Sequence, residues 1–292
     1  MKRIFSFVSV LLAAFSANAA TVLTSIKPIQ MIATELTQEV SQVDVLIPAN
    51  ASPHDYALRP SDVKRIQSAD MIVWFGNDLE PFLAKILENR DSVLTLSDVD
   101  GLELREYDGD HHDHHGHDHG SHDPHFWLGY KTTKQVAKAI VAKLSRLDEK
   151  NAQRYQDNLA AFLLKLEKQQ VALMSQLTPV KDKGYYVFHD AYGYFESDFE
   201  LNHLGHFTVS PDRKPGAKTL IKIRKALSSK QAVCVFSEPQ FTPAVIDSVT
   251  RGSDARVGVL DPLGTSVVVQ PGSYFQFRQN LADSFFNCLG GV

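Results

Sequence analysis

Histidine is the residue type through which this sequence points most directly to chemistry. Eight of the twelve histidines fall within Gly109–Phe126: His111, His112, His114, His115, His117, His119, His122 and His125. Imidazole is a common protein ligand for zinc, copper and nickel. Because glycine and aspartate separate the rings, the pattern predicts a mobile, solvated, metal-binding loop over 108–122. An inert polar linker and a pH sensor are the alternative interpretations.

Three histidines stand where strands of a predicted sheet end. His54 lies in the loop after the apolar run Val43–Ile47, and His189 directly follows Tyr185–Phe188. His125 lies where the histidine-rich loop meets an apolar stretch. In open α/β sheets, ligands bind beyond the carboxyl ends of the strands, often between domains. The three histidines are therefore candidate ligands of one metal ion, and the alternative for each is a structural role.

The elements that would position these histidines alternate between strands and helices. Seven runs have the length and composition of strands: Thr21–Ile26, Val43–Ile47, Met71–Phe75, Val93–Leu96, Tyr185–Phe188, Ala232–Phe236 and Arg256–Leu260. Helical spacing follows most of them, as in Ile29–Val40, Leu79–Leu87, Leu220–Ser228 and Tyr274–Leu289. The continuous apolar run Met71–Phe75 predicts a strand buried on both faces. The alternation predicts lobes of the α/β class with parallel sheets.

A long helical segment divides the two series of strands. Neither glycine nor proline interrupts Thr132–Thr178. Its second part predicts a helix of about 30 residues, near 45 Å long, which exceeds the usual length in a globular domain. Such a helix can run from one lobe to the next, whereas the alternative is the arm of a coiled-coil dimer. We therefore predict a first lobe over 21–147, a linking helix over 148–178 and a second lobe over 179–292. Residues 1–20 form a separate segment before the first lobe.

The first twenty residues have the composition of a secretory signal peptide. A basic start precedes the apolar run Ile4–Phe15 and the small-residue motif Ala17-Asn18-Ala19. The pattern predicts export with cleavage near Ala19 or Ala20, and the apolar run is too short for a permanent membrane span. The full chain has a net charge of −4, which disfavours nucleic acid and anionic membranes as partners.

The chain has two cysteines, Cys234 and Cys288. In an exported protein an even number of cysteines indicates a disulfide. A pair of thiolate metal ligands is the alternative.

Five motifs carry a resemblance to a known family: SPHDYALRPSDVKRIQSAD (Ser52–Asp70), HFWL (His125–Leu128), FHDAYGYFE (Phe188–Glu196), LGHFTV (Leu204–Val209) and FSEPQF (Phe236–Phe241). On these motifs the chain resembles the periplasmic zinc-binding proteins of bacterial high-affinity zinc ABC transporters. These belong to the cluster A-I, or cluster 9, solute-binding proteins. The resemblance covers the whole mature chain, including the histidine-rich loop and the two cysteines, which stand where the family has its disulfide.

The resemblance implies two lobes, each with a parallel four-stranded sheet flanked by helices, joined by one long rigid helix. It implies a zinc ion as transported ligand, held in the cleft by His54, His125 and His189. It also implies a periplasmic protein that delivers zinc to a membrane permease and is not an enzyme. Some zinc-binding members have a glutamate where this chain has Pro53. Asp261 matches a ligand of manganese-binding relatives, so the fourth zinc position is open to water, Asp261 or a loop histidine.

Several further side chains are candidates near the metal. Asp55, Asp190 and Glu238 follow strand ends and would orient the imidazole rings through hydrogen bonds. His203 and His206 are interpreted as structural or surface histidines, and Glu196 has no evident role.

Other functions compete with zinc delivery. A binding protein for another divalent metal, such as manganese, nickel or copper, is one alternative, because these metals also bind imidazole with affinities that differ from metal to metal. A surface metal-dependent adhesin is a second alternative, and a zinc hydrolase a third. The hydrolase is disfavoured because the sequence has no H-E-x-x-H motif. We expect a monomer whose histidine-rich loop buffers zinc, senses it, or passes it to a periplasmic partner.

Overall fold

The computed structural model describes residues 20–106, 122–209, 214–241 and 244–291. The predicted signal peptide and the predicted histidine-rich loop lie outside these residues, apart from Ala20 and His122. Two four-stranded sheets, each with all its strand pairs parallel, form two lobes. The predicted fold class is confirmed, while the predicted division of the chain near 147 and 178 stays a prediction. Within the described residues, no helix combines the length and the apolar character needed to cross a membrane.

The first lobe is built on a sheet with the strand order β2-β1-β3-β4. Its strands are Thr21–Thr24 (β1), Gln42–Val45 (β2), Met71–Trp74 (β3) and Val93–Thr95 (β4), and its helices are Lys27–Leu36 (α1), Pro60–Ser68 (α2) and Ala84–Leu87 (α3). β3 is central and all four of its residues are buried, as its apolar run predicted. α1 begins at Lys27 instead of Ile29, because Pro28 fits the first helical turn, where its missing N–H has no role.

The second lobe repeats this order as β6-β5-β7-β8. Its strands are Gly184–His189 (β5), His203–Thr208 (β6), Ala232–Ser237 (β7) and Arg256–Val259 (β8), and its helices are Gly193–Phe199 (α6), Ala217–Ser228 (α7), Ala244–Thr250 (α8) and Ser273–Gly290 (α9). The hydrophobic pattern did not indicate β6. This strand lies at the edge of the sheet, is half-buried over His203–His206, and contains Gly205, so it lacks the apolar run of a central strand.

Two helices lie between the two series of strands: Tyr130–Leu147 (α4), which packs with the first lobe, and Ala152–Leu177 (α5), the long helix between the lobes. α5 has 26 residues, which corresponds to about 39 Å. It is shorter than predicted because a separate short turn, Glu149–Asn151, precedes it. α5 packs against α1 and α4 on one side and against α9 on the other, so it forms part of both lobes.

The lobes also bond to each other directly. The indole of Trp127 donates to the carbonyl of Pro262 at 2.8 Å, and the hydroxyl of Tyr274 donates to the carbonyl of Trp127 at 2.7 Å. Lys27 at the start of α1 donates to the carbonyl of Thr265 at 2.9 Å. One continuous apolar core accordingly extends through the inner faces of both sheets and α5. Smaller clusters cover the outer face of each sheet.

A disulfide joins Cys234 in β7 to Cys288 in α9 across a sequence separation of 54 residues. The disulfide prediction is confirmed, and the alternative of two thiolate metal ligands is wrong because each sulfur is bonded to the other. The bond fastens the last helix to the sheet that carries His189.

Replacing Cys234 and Cys288 together by alanine is expected to lower the free energy of unfolding of the metal-free protein by about 4 kcal/mol, because the unfolded chain regains the entropy of an open loop. Denaturant unfolding of the double variant beside the oxidised wild type measures the difference. Equal unfolding midpoints would contradict this role for the bond.

Candidate metal centre

Three elements bring three histidines to one point at the carboxyl ends of the sheets. His54 lies in a short 3-10 turn, Pro53–Asp55, which follows β2 and in which the hydroxyl of Ser52 accepts from the N–H of His54 at 3.3 Å. His125 directly precedes the turn that leads into α4. His189 is the last residue of β5. His54 and His189 therefore both lie at the carboxyl end of a parallel strand, one strand from each sheet.

Within the described part of the chain, His54, His125 and His189 form a cluster of potential ligands that could hold a metal ion. One nitrogen from each of His54, His125 and His189 lies within 4.8 Å of the others. The Nε2 atoms of His125 and His189 are 3.3 Å apart. Two nitrogens bound tetrahedrally at about 2.0–2.1 Å from zinc are separated by about 3.3–3.4 Å. The spacing of these two nitrogens therefore suits a shared tetrahedral ion.

Buried carboxylates orient two of the rings. Nδ1 of His125 donates to Oδ1 of Asp123 at 2.7 Å, and Nδ1 of His189 donates to Oε1 of Glu238 at 2.6 Å. Both histidines are only 2% exposed, and the two carboxylate side chains are fully buried. A carboxylate on one ring nitrogen fixes the ring and makes the other nitrogen a better metal ligand. In both residues Nε2 is thus the nitrogen presented to the centre.

The surroundings shift the pKa values of the two buried rings in opposite directions. Burial, together with the neighbouring His189, lowers the pKa of His125 well below 6.5. Burial also acts to lower the pKa of His189, but the Glu238 carboxylate outweighs it and the pKa is raised above 6.5. Burial raises the pKa of Asp123 to about 7, against the hydrogen bond from the His125 amide and the charge of Arg105. A proton therefore competes with metal more strongly at His189 than at His125.

The walls around the histidines are apolar and close. They enclose a cavity of about 20 Å³, which holds about one water-sized sphere. The Trp127 ring packs edge-on against His125 with centroids 5.2 Å apart, and Phe241 packs in the same manner against His189 at 6.3 Å. Such a space has room for a single ion between the three rings.

Of the three carboxylates expected to orient rings, only Glu238 is seen in that position. Asp55 is solvent-exposed at the end of its turn. Asp190 faces other partners: its Oδ1 lies 3.5 Å from Nη1 of Arg105 and its Oδ2 lies 3.8 Å from Nδ1 of His206. Asp123, which takes the role at His125, was not anticipated. Its signal was its place two residues before His125, where its Oδ1 also accepts the His125 amide at 3.0 Å.

Asp261, one of the three candidates for the fourth metal position, is not brought into the histidine group. Its Oδ1 accepts from the amide of Leu263 at 3.1 Å, and its Oδ2 accepts from the amide of Thr265 at 2.6 Å. The carboxylate thus closes its own turn after β8.

His203 and His206 lie on β6, away from the central group. Nδ1 of His203 is 3.1 Å from Oε2 of Glu196, whose Oε1 accepts from the hydroxyl of Tyr185 at 3.0 Å. Glu196, which had no evident role in the sequence, therefore links α6 to β5 and β6. Burial lowers the pKa of His206 in spite of the nearby Asp190 carboxylate.

Replacing Glu238 by glutamine is expected to lower the pKa of His189 from above 6.5 to below it in the metal-free protein, because burial then outweighs the remaining carboxylates. An NMR titration of the His189 ring in the presence of a chelator measures this change. The matched control is Glu200→Gln, since Glu200 is an exposed glutamate paired with Lys181. A His189 pKa that stays above 6.5 in Glu238→Gln would contradict Glu238 as the cause of the raised pKa.

Comparison with known proteins agrees with this geometry. The family model "Zinc-uptake complex component A periplasmic" matches residues 22–288. The chain is 43% identical to the high-affinity zinc uptake system protein ZnuA of Yersinia pestis, over 94% of this chain and 93% of that protein. It is 44% identical to the protein of the same name from Haemophilus ducreyi, over 92% and 93%. A crystal structure of a ZnuA deletion mutant with zinc bound is 26% identical, with a TM-score of 0.76 and coverage of 91% and 98%. The chain thus belongs to the family of the periplasmic component A of zinc-uptake complexes.

Proposed function

We propose that this protein captures zinc in the periplasm and delivers it to the permease of an ABC transporter, with His54, His125 and His189 as the protein ligands. Membership of the zinc-uptake family supports the cargo and the partner. The single observation that supports the ligand set is the convergence of three imidazole nitrogens within 4.8 Å, one of them from the second lobe.

The chemistry of this ligand set favours zinc. Zinc accepts four ligands in tetrahedral geometry and binds imidazole nitrogen well, whereas manganese prefers more oxygen. The two carboxylates beside the group, Asp123 and Glu238, are occupied by imidazole N–H groups. They therefore act on zinc through the rings and not as oxygen ligands. With Asp261 bonded within its own turn, the fourth position is left to a water molecule or to a histidine of the loop.

The protein carries zinc and does not use it for catalysis, as expected of a solute-binding transport protein. The hydrogen bonds of Asp123 and Glu238 agree with this role. A hydrolytic zinc site needs a general base beside the bound water. Here both carboxylates hold rings in place. We also propose that the protein acts as a monomer, because the two lobes of one chain supply all three histidines.

Alanine substitution of His54, His125 or His189 is expected to weaken zinc binding by orders of magnitude, because each removes one of three protein ligands. His115→Ala is the control, and it should leave the tight site almost unchanged. Competition with a chelator of known zinc affinity measures the loss. Equal losses in all four variants would contradict the assignment of the site to these three histidines.

Zinc binding, measured by the same chelator competition, should weaken as the pH falls. Protons compete for imidazole, and His189 with its raised pKa takes one up first. Zinc is therefore expected to bind most tightly above the pKa of His189, and its apparent affinity is expected to fall progressively as the pH falls below that pKa.

The loop over 108–122 lies outside the described residues except at His122, yet its two ends are close to the site. Glu106 and His122 form an antiparallel bridge, and the amide of Asp123 donates to the carbonyl of Arg105 at 2.7 Å. We propose that the loop holds zinc weakly and raises its local concentration at the cleft, an effective-concentration effect. Transfer of zinc to or from a periplasmic partner is a further role that the loop would support.

Deletion of Asp110–Ser121 is expected to leave one tight zinc site and to remove several weaker ones, because the histidines removed belong to the loop and not to the cleft. Calorimetric zinc titration of the deletion variant beside the full mature chain gives both stoichiometries. An unchanged stoichiometry would refute the loop as a binding element.

A further inference from the structure

The guanidinium of Arg105 lies between the two lobes beside the histidine group. Its Nη1 donates to Oδ2 of Asp123 at 3.0 Å and lies 3.5 Å from Oδ1 of Asp190. Asp123 stands two residues before His125 in the first lobe, and Asp190 directly follows His189 in the second. One cation therefore faces carboxylates that neighbour the histidines of both lobes.

The bond from Arg105 fixes the carboxylate that orients His125. Asp123 accepts Nδ1 of His125 on Oδ1 and Arg105 on Oδ2, so both oxygens have a defined partner. The Asp123 side chain is fully buried, whereas that of Arg105 is about a quarter exposed. Loss of the arginine would leave a buried carboxylate with one oxygen unpaired. It would also free the carboxylate plane to rotate away from the His125 ring.

The second lobe provides the space that the Arg105 guanidinium occupies. At Gly193, the first residue of α6, a Cβ atom would lie 2.0 Å from Nη1 of Arg105 and 2.3 Å from its Cζ. The next residue, Tyr194, accepts the amide of Arg105 on its hydroxyl at 2.8 Å and donates to the carbonyl of Asp123 at 2.7 Å. The guanidinium thus occupies a space that exists only because residue 193 has no side chain.

We propose that Arg105 is a positioning residue that couples closure of the lobes to the geometry of the metal site. In this structure the guanidinium lies against Gly193 and Asp190 of the second lobe. From there it holds the Asp123 carboxylate against His125. When the lobes separate, Arg105 loses its contacts with the second lobe and the restraint on Asp123 weakens, so the His125 ligand loosens as the cleft opens. This inference rests on the proposed function.

The chemistry of arginine suits this task. A planar guanidinium offers several N–H donors in a fixed fork and keeps its charge, so it can serve Asp123 and face Asp190 together. A lysine would keep the charge but has one compact ammonium group, which would serve one carboxylate well. Arg105→Lys should therefore restore part of the function that Arg105→Gln loses.

The test measures zinc release from the full mature chain loaded with one equivalent of zinc. Release into excess chelator is followed for wild type, Arg105→Gln, Arg105→Lys and Gly193→Ala. We expect Arg105→Gln to release zinc about 10–100-fold faster, the range typical of changes to groups that orient metal ligands. Arg105→Lys should fall between it and wild type. Gly193→Ala should also release faster, because the added methyl displaces the guanidinium while the arginine remains.

The matched control is Arg154→Gln, which removes an exposed arginine paired with Glu39 on the surface of α5 and should release zinc at the wild-type rate. The visible absorption spectrum of the protein loaded with Co²⁺ gives a readout that a purely structural role would not change. Distortion of the site should alter the d–d bands in Arg105→Gln and Gly193→Ala but not in Arg154→Gln.

Two results separate this inference from the proposed function. If His125→Ala loses zinc while Arg105→Gln and Gly193→Ala keep the wild-type release rate and Co²⁺ spectrum, the inference is overturned and the function stands. If His125→Ala also keeps wild-type affinity, the proposed ligand set itself is wrong. Should Arg105→Gln fail to fold, Gly193→Ala decides the question, because alanine is compatible with the first residue of a helix.

Discussion

Two buried hydrogen bonds between carboxylate and imidazole are the interactions on which the rest of this structure depends. Asp123 holds His125 and Glu238 holds His189, each at less than 3 Å and out of contact with water. A buried carboxylate is costly unless it is paired, so in this well-packed surrounding each carboxylate needs its imidazole partner. In return they turn the Nε2 atoms of rings from two lobes toward each other, 3.3 Å apart.

The repeated topology explains how the two pairs come to face one another. Both sheets have their first strand in an inner position, flanked by the second and third, and both present the carboxyl ends of their strands to the cleft. α5 packs against helices of both lobes, while Trp127 and Tyr274 bond across the cleft. The disulfide between β7 and α9 secures the sheet that carries His189. Each of these features limits how far one imidazole can move relative to the others.

The surroundings give the two buried histidines opposite tendencies toward protons. Burial dominates at His125 and lowers its pKa, whereas the charge of Glu238 raises the pKa of His189. Arg105 places a positive charge near a carboxylate of each lobe, Asp123 in the first and Asp190 in the second. The two rings of one centre thus differ in how readily they take up a proton, and under the coupling proposed for Arg105 the hold on metal would depend on closure of the cleft.

The sequence by itself indicated the two α/β lobes, the long helix and the paired cysteines, and it singled out three histidines as candidate metal ligands. Each of these leaves a local trace in periodicity, in the end of a strand or in a motif. The tertiary structure alone decided that Glu238 orients His189 while Asp190 turns to Arg105, and that Asp261 closes its own turn. It also decided that Gly193, which has no side chain, leaves space for an arginine from the other lobe. Spacing along a chain records which residues share an element. Which of several nearby carboxylates meets a given ring depends on how separate elements pack, and no local pattern contains that information.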